Sequence, residues 1–246
     1  MFEHAGAAGR NRFQRYWAAI REHPSAVLLA AQLLGIMVFP FTDSGGPGRT
    51  IVSVFGLFVL ALAVLAVNRT PSTRFVAWSL GAPVLILTVA EALFSDTPGL
   101  TLTADTSIIP WLSLTSDAFH AIFYFYTAVS LLRYMFADTW VSRDELFATG
   151  ATFTVLVWAF AYTYGAVQAI WPESFSNGQG PLQLSWFELL FLSTTTLTGT
   201  GLSDIAPNES ASLARSVSMI QMLTGMNYIA LVIARLLGLT LIKFRR

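Results

Sequence analysis

The sequence contains no cysteine, which excludes disulfides and thiolate-bound metals. Charge is scarce as well: 11% of the 246 residues are Asp, Glu, Lys or Arg, against roughly 25% in soluble domains. The 14 basic and 14 acidic residues cancel, so no cationic surplus exists to attract nucleic acid. Only three histidines occur, His4, His23 and His120. Enzyme signatures are missing too, with no Gly-rich nucleotide loop after a strand, no G-x-S-x-G and no H-E-x-x-H. Neither a catalytic residue nor a cofactor is expected.

What the chain has in abundance is apolar sequence. Hydrophobic residues make up 54% of it and the mean hydropathy is +0.61, which places it in a lipid bilayer. Runs able to cross about 30 Å of hydrocarbon as helices of roughly 20 residues number about six. They lie at Ala26–Phe41, Ile51–Val67, Phe75–Phe94, Ile108–Phe136, Leu146–Ile170 and Leu213–Leu239. TDSGGPGR, NRTPSTR and SDTPGLTLTADT separate the first four. Ahead of them, residues 1–22 form an interfacial, cytoplasmic segment in which RNRFQRYWAAIREH mixes Arg with aromatics at helical spacing. It lacks the uninterrupted apolar core of a cleavable signal peptide.

Lys and Arg in short connections stay on the cytoplasmic side. Six spans with the N-terminus inside leave only Arg49 and Arg215 outside, so both termini are expected to be cytoplasmic in a multi-pass plasma-membrane protein. The outer connections carry Asp43, Asp96, Asp105, Glu173 and Asp204.

Between the fifth and sixth spans lies FELLFLSTTTLTGTGLSDIAP, residues 187–207. Flanked this closely by apolar sequence, it is expected to re-enter the membrane, which irregular backbone does only where protein buries it or where it lines a watery cavity. Trp186 opens a half-membrane helix of about 12 residues, roughly 18 Å long. Ser185 as N-cap and Glu188 three residues on make a capping-box pattern. Thr195 and Thr196 sit near its C-terminal end, where the helix dipole favours a cation. Gly199 and Gly201 then permit backbone angles that aim successive carbonyls at one axis, and rings of carbonyls can replace an ion's hydration shell.

These residues resemble the pore module of the bacterial potassium-channel superfamily, whose members read approximately F-D-A-L-Y-F-S-F-V-T-L-T-T-V-G-Y-G-D-I-x-P. Phe187, Glu188, Phe191, Ser193, Thr196, Leu197, Thr198, Gly201, Asp204, Ile205 and Pro207 match without a gap. GMNYIALVIARLLGL, residues 225–239, is similar to the family's inner helix, often G-x-x-Y-x-A-x-x-V-A-R-L-x-G, and VSRDELFATG, residues 141–150, to its linker and outer helix. The resemblance covers roughly the last hundred residues in sequence and the first four spans only by topology.

The resemblance implies an all-α integral membrane fold: six transmembrane helices, a re-entrant pore helix and filter loop between the fifth and sixth, and assembly as a homotetramer. It divides the chain into residues 1–22, a four-helix domain at 23–137 and a pore domain at 138–246. It also implies passive conduction of K+ or other monovalent cations. Thr198, Gly199, Thr200 and Gly201 would hold the ion, Leu202 and Ser203 would complete the filter, and Asp204 would concentrate cations at the mouth. In the gapless register T-V-G-Y-G falls on Gly199, Thr200, Gly201, Leu202 and Ser203, so one family glycine is kept. A second register puts Gly199, Thr200 and Gly201 on G-Y-G and leaves Leu202 and Ser203 as an insertion. The gapless one is preferred because both ends of the motif anchor it. Two alternatives stand beside the channel: a cation-translocating subunit akin to the Trk and Ktr transporters, and a non-conducting receptor or structural protein on the same scaffold.

The fourth span carries only Arg133, at its inner end, so little voltage dependence is expected. Gly225 is either a gating hinge or a tight helix crossing. Glu91, Asp117 and His120 form either a proton- or cation-sensing cluster or a hydrated group near the outer interface. After LIKFRR no ligand-binding domain follows in this sequence, so gating is expected within the membrane or from a separate regulatory subunit.

Overall fold

The computed structural model describes residues 23–41, 79–89, 108–137, 143–177 and 180–244. The second expected span, the interfacial segment 1–22 and Glu91 lie outside them. Six α-helices are present among the described residues: α1 (Pro24–Val38, continued by a 3-10 turn at Phe39–Phe41), α2 (Ser79–Val89), α3 (Ile108–Met135), α4 (Arg143–Ile170), α5 (Trp186–Thr198) and α6 (Ser212–Phe244).

α4 is the hub, packed against α1, α3, α5 and α6. Its buried positions alternate small residues (Ala148, Ala151, Ala159, Ala161) with large ones (Val155, Leu156, Trp158, Phe160). Small residues let neighbouring backbones approach, the usual device of helix contacts where lipid supplies no hydrophobic drive. At 28 residues, or about 42 Å at 1.5 Å per residue, it exceeds the hydrocarbon thickness. Asp144–Ile170 in α4 and Ser212–Arg235 in α6 are the two stretches among the described residues long and apolar enough to cross a membrane.

Paired contacts give the helix directions. Tyr134 meets Asp144, Tyr124 meets Trp158 and Tyr162, and His120 meets Tyr162, so α3 runs antiparallel to α4. Ser25 meets Asp144, Leu29 lies over Gly150 and Thr154 donates to Gln32, so α1 runs parallel to it. The start of α1 illustrates why. Pro24 occupies its first turn, where a missing N–H costs nothing. The free amide of Ser25 and its hydroxyl both donate to the Asp144 carboxylate, at 3.1 Å each, satisfying donors that every helix start leaves open. Asp144 and Glu145 stand in the first turn of α4, where their charge suits that helix's own dipole.

The all-α expectation requires one correction. Three two-residue strands, β1 (Phe175–Ser176), β2 (Pro181–Leu182) and β3 (Ala206–Pro207), form an antiparallel ribbon in the order β2-β1-β3. Phe175 pairs with Leu182 and Pro207, and Ser176 with Pro181 and Ala206. The ribbon ties the chain leaving α4 to the chain returning from the glycine segment. Strands this short carry no periodicity, so apolar patterning did not announce them.

The expected span boundaries also shift. α1 starts two residues earlier than Ala26, and α6 runs to Phe244 rather than Leu239 because Gly238 does not stop it.

Candidate functional site: helix α5 and its glycine turn

α5 begins with the capping box that its sequence encodes. The Ser185 amide donates to the Glu188 carboxylate at 2.7 Å, and the Glu188 amide donates to the Ser185 hydroxyl at 3.4 Å. Trp186 is the first helical residue and stacks against Phe39 of the turn after α1, ring centroids 4.7 Å apart. Leu189, Leu190, Leu192 and Ser193 are buried, as are Thr195, Thr196 and Leu197. Threonine is tolerated in such surroundings because its hydroxyl bonds back to its own helix: Thr194 donates to Leu190 O at 2.8 Å and Thr195 to Leu192 O at 3.0 Å.

The helix ends at Gly199, whose left-handed conformation (φ 70°, ψ 16°) lets its amide donate to Thr195 O and Thr196 O. The Thr200 amide returns to Thr195 O at 3.1 Å. Gly201 is left-handed as well, with φ 64°. Thr198 is the last helical residue, and its hydroxyl donates to Thr194 O at 2.8 Å and shares a 3.1 Å hydrogen bond with the Thr200 hydroxyl. The two left-handed positions, Gly199 and Gly201, are the pair that the second register puts on the family's two glycines.

Thr198, Gly199, Thr200, Gly201 and Leu202 are all exposed in the single chain, directly after the buried Leu197. Neither glycine has an atom within 4 Å of where a Cβ would project. Ser203 folds the chain back, its hydroxyl accepting the Ile205 amide at 3.1 Å. The exposed Asp204 shares a crevice with Glu188, Asn177, Phe187, Phe191 and the buried Ile205.

Behind the turn lies a polar network that sequence reasoning missed. Gln221 of α6 is fully buried. Its amide nitrogen donates to Ser193 O at 2.9 Å and to Ser193 Oγ at 2.7 Å. Its amide oxygen accepts from the Tyr164 hydroxyl at 2.5 Å, which also lies 3.0 Å from Ser218 Oγ. The Ser193 hydroxyl donates onward to Val157 O of α4 at 2.7 Å. The available signal was a lone glutamine inside an apolar span, costly there unless it is used. Similarly, Gln168 bonds both backbone groups of Leu184, through Nε2 to the carbonyl at 2.9 Å and Oε1 to the amide at 2.8 Å.

Gly225 lies one turn beyond Gln221, and α6 continues helically through it. A Cβ at that position would collide with the backbone carbonyl of Leu197. The helices cross there as closely as a glycine allows.

The other expected cluster is only partly described, since Glu91 falls outside the described residues. His120 is buried, with its Nε2 3.2 Å from the Thr88 hydroxyl of α2 and its Nδ1 2.8 Å from Ser116 O. Its ring stacks on Tyr162 at 4.4 Å. The Asp117 carboxylate abuts Gly165 of α4 instead. Among the described residues, no three His, Asp or Glu side chains converge as a metal site.

Residues 150–240 match the family model described as "Ion channel". The stretch is similar to an ion-channel domain. It begins in α4, ends in α6, and encloses α5, the glycine turn and the polar network. No curated protein and no solved structure matches the chain. With its two membrane-capable helices, the channel-like domain marks a membrane protein and points to a transporter or channel rather than an enzyme.

Proposed function

We propose that the chain is one subunit of a cation channel, in which segment 198–204 of four copies surrounds a common axis and conducts K+ or monovalent cations without strict selectivity. The observation that carries this reading is the abrupt change at Leu197: a buried helix ends in a turn that is exposed and built on two left-handed glycines. One turn cannot enclose an ion, so a closed ring of copies is needed. The negative end of the α5 dipole faces the same place and favours a cation.

α6 supports the ring. Only 22% of its apolar window is buried within the chain, compared with 56% for α4, and Met219, Ile220, Leu223 and Met226 are exposed. That face is available to lipid and to neighbouring copies. Leu202 and Ser203 then lead to Asp204, which draws cations to the outer mouth by its charge. The described part of the fourth expected span, α3, holds one basic residue in its last turn, Arg133, so the channel does not respond strongly to voltage. Both termini face the cytoplasm, the location is the plasma membrane, and a separate regulatory subunit is one source of gating.

Planar-bilayer recording of the purified protein, with potassium and sodium on opposite sides, tests the reading. Cation current with a defined reversal potential is expected, together with a fourfold oligomer by native mass spectrometry. An assembled protein that passes no cation would remove the channel assignment and favour a receptor or structural role. A monomeric cation conductor would favour the transporter-like alternative.

A further inference from the structure

The conducting turn is the end of a short helix, so whatever sets the height and rotation of α5 also sets the turn. Gln221 has the geometry for this. Its Nε2 donates to both the backbone oxygen and the hydroxyl of one residue, Ser193. The first bond fixes position along the α5 axis and the second fixes rotation about it. Ser193 is also tied to α4 by its own bond to Val157 O. Tyr164 holds the amide oxygen, so the carboxamide cannot turn over without losing bonds at both ends.

We propose that Gln221, acting through Ser193, is a positioning residue that determines how the Gly199–Gly201 turn faces the permeating ion. This rests on the channel reading above. Packing alone does not require a carboxamide here, because methionine occupies a similar volume without burying polar atoms that need partners. A second contact in the same register supports the assignment. Four residues farther along both helices, Gly225 receives the Leu197 carbonyl. The pairs 193–221 and 197–225 align α5 parallel to α6, and a slip of one turn would set Gln221 against leucine instead of serine. Ser193 precedes Gly199 by six residues, or about 9 Å of helix, so a tilt of about 6° pivoting there displaces the turn by about 1 Å. Displacements of that size are functional at a preorganised site.

The test uses the full chain in liposomes and planar bilayers, comparing wild type with Gln221→Met, Ser193→Ala and Ser218→Ala. Gln221→Met and Ser193→Ala are expected to shift the potassium-to-sodium permeability ratio by about threefold or more, or to abolish current, while oligomer elution is unchanged. Ser218→Ala removes a hydroxyl of the same network that bonds Tyr164 and the Ala214 carbonyl rather than Ser193, and is expected to leave the ratio within about twofold of wild type. Ser193→Ala keeps the test decisive if Gln221→Met fails to fold. A wild-type ratio in Ser193→Ala, or an equal shift in Ser218→Ala, overturns the proposal while leaving the channel reading intact. Absence of wild-type current instead overturns the channel reading on which it rests.

Discussion

Arg235 of α6 lies 3.2 Å from the Glu145 carboxylate of α4, and its guanidinium stands 4.8 Å from the centre of the Phe136 ring. Glu145 is buried and Arg235 partly so, with side chains 4% and 12% exposed. Removing one partner of a largely buried ion pair takes a charged contact from the other and costs up to about 3–5 kcal/mol. Arg235→Gln and Glu145→Gln should each lower the thermal midpoint of the detergent-purified protein clearly, and the reciprocal exchange Glu145→Arg with Arg235→Glu should recover part of it. Equal midpoints for the single variants and wild type would show that the pair contributes nothing.

Gly225 should tolerate no side chain. In Gly225→Ala the new methyl meets the Leu197 backbone carbonyl rather than a movable side-chain tip. Relief requires α5 or α6 to shift, and overpacking of this kind costs about 1–3 kcal/mol. Loss of stability and altered conduction should appear together, and Gly225→Val should be worse. Retention of both properties in the alanine variant would contradict the close crossing.

Gly199 and Gly201 make a different demand, because space beside them is open and only their backbone angles are restrictive. An L-residue held left-handed costs about 1–2 kcal/mol. Gly201→Ala should therefore lose conduction, whereas D-alanine introduced there by semisynthesis should keep it, since its preferred angles are mirrored. Equal currents from the two stereoisomers would mean that handedness at Gly201 is irrelevant.

Asp144 holds the start of α1 through Ser25 and also accepts from Tyr134 of α3 at 3.1 Å. Replacing a capping carboxylate by alanine costs about 0.5–2 kcal/mol. Asp144→Ala should loosen α1 locally, detected as faster amide hydrogen exchange over residues 25–32, with exchange in α5 much less affected. Uniform exchange changes across all helices would argue for global rather than local loosening.

Voltage should have little effect on open probability. One elementary charge crossing the full field is worth about 2.3 kcal/mol per 100 mV, and the basic residue of α3, Arg133, stands in that helix's last turn. A conductance–voltage curve in symmetric salt should be nearly flat. A slope equivalent to several charges per channel would contradict this.

Features encoded within one turn of helix were legible from sequence. The Ser185–Glu188 box announced the start of α5, and the left-handed backbone at Gly199 and Gly201 was foreseen, although α5 runs two residues past the expected Thr196. α4 and α6 were visible as apolar stretches of membrane length. Features that depend on two distant segments were not. Positive-inside reasoning placed Arg235 at the cytoplasmic side but gave no hint of its partner 90 positions away. Gln221 went unremarked although it is polar in an apolar span, and nothing local identifies Ser193 as its acceptor. Both readings of Gly225 were open because a glycine that bends a helix and one that admits a neighbour look the same in sequence. Gly225 instead meets α5 at a distance that only a missing side chain permits.

Helix α1 lies beside α4 from Ser25 at Asp144 to Gln32 at Thr154, and the turn that follows it braces Trp186 through Phe39. It behaves like a keel fastened to the hull at several ribs. Cutting the chain at residue 138 to isolate α4 to α6 would remove that keel together with α2 and α3, taking from Asp144, Thr154 and Trp186 the groups of α1 and its turn that now meet them. A shortened version should need donated copies of both residues 23–41 and α3, or lipid-compatible apolar replacements along the flank they leave open, before it holds together.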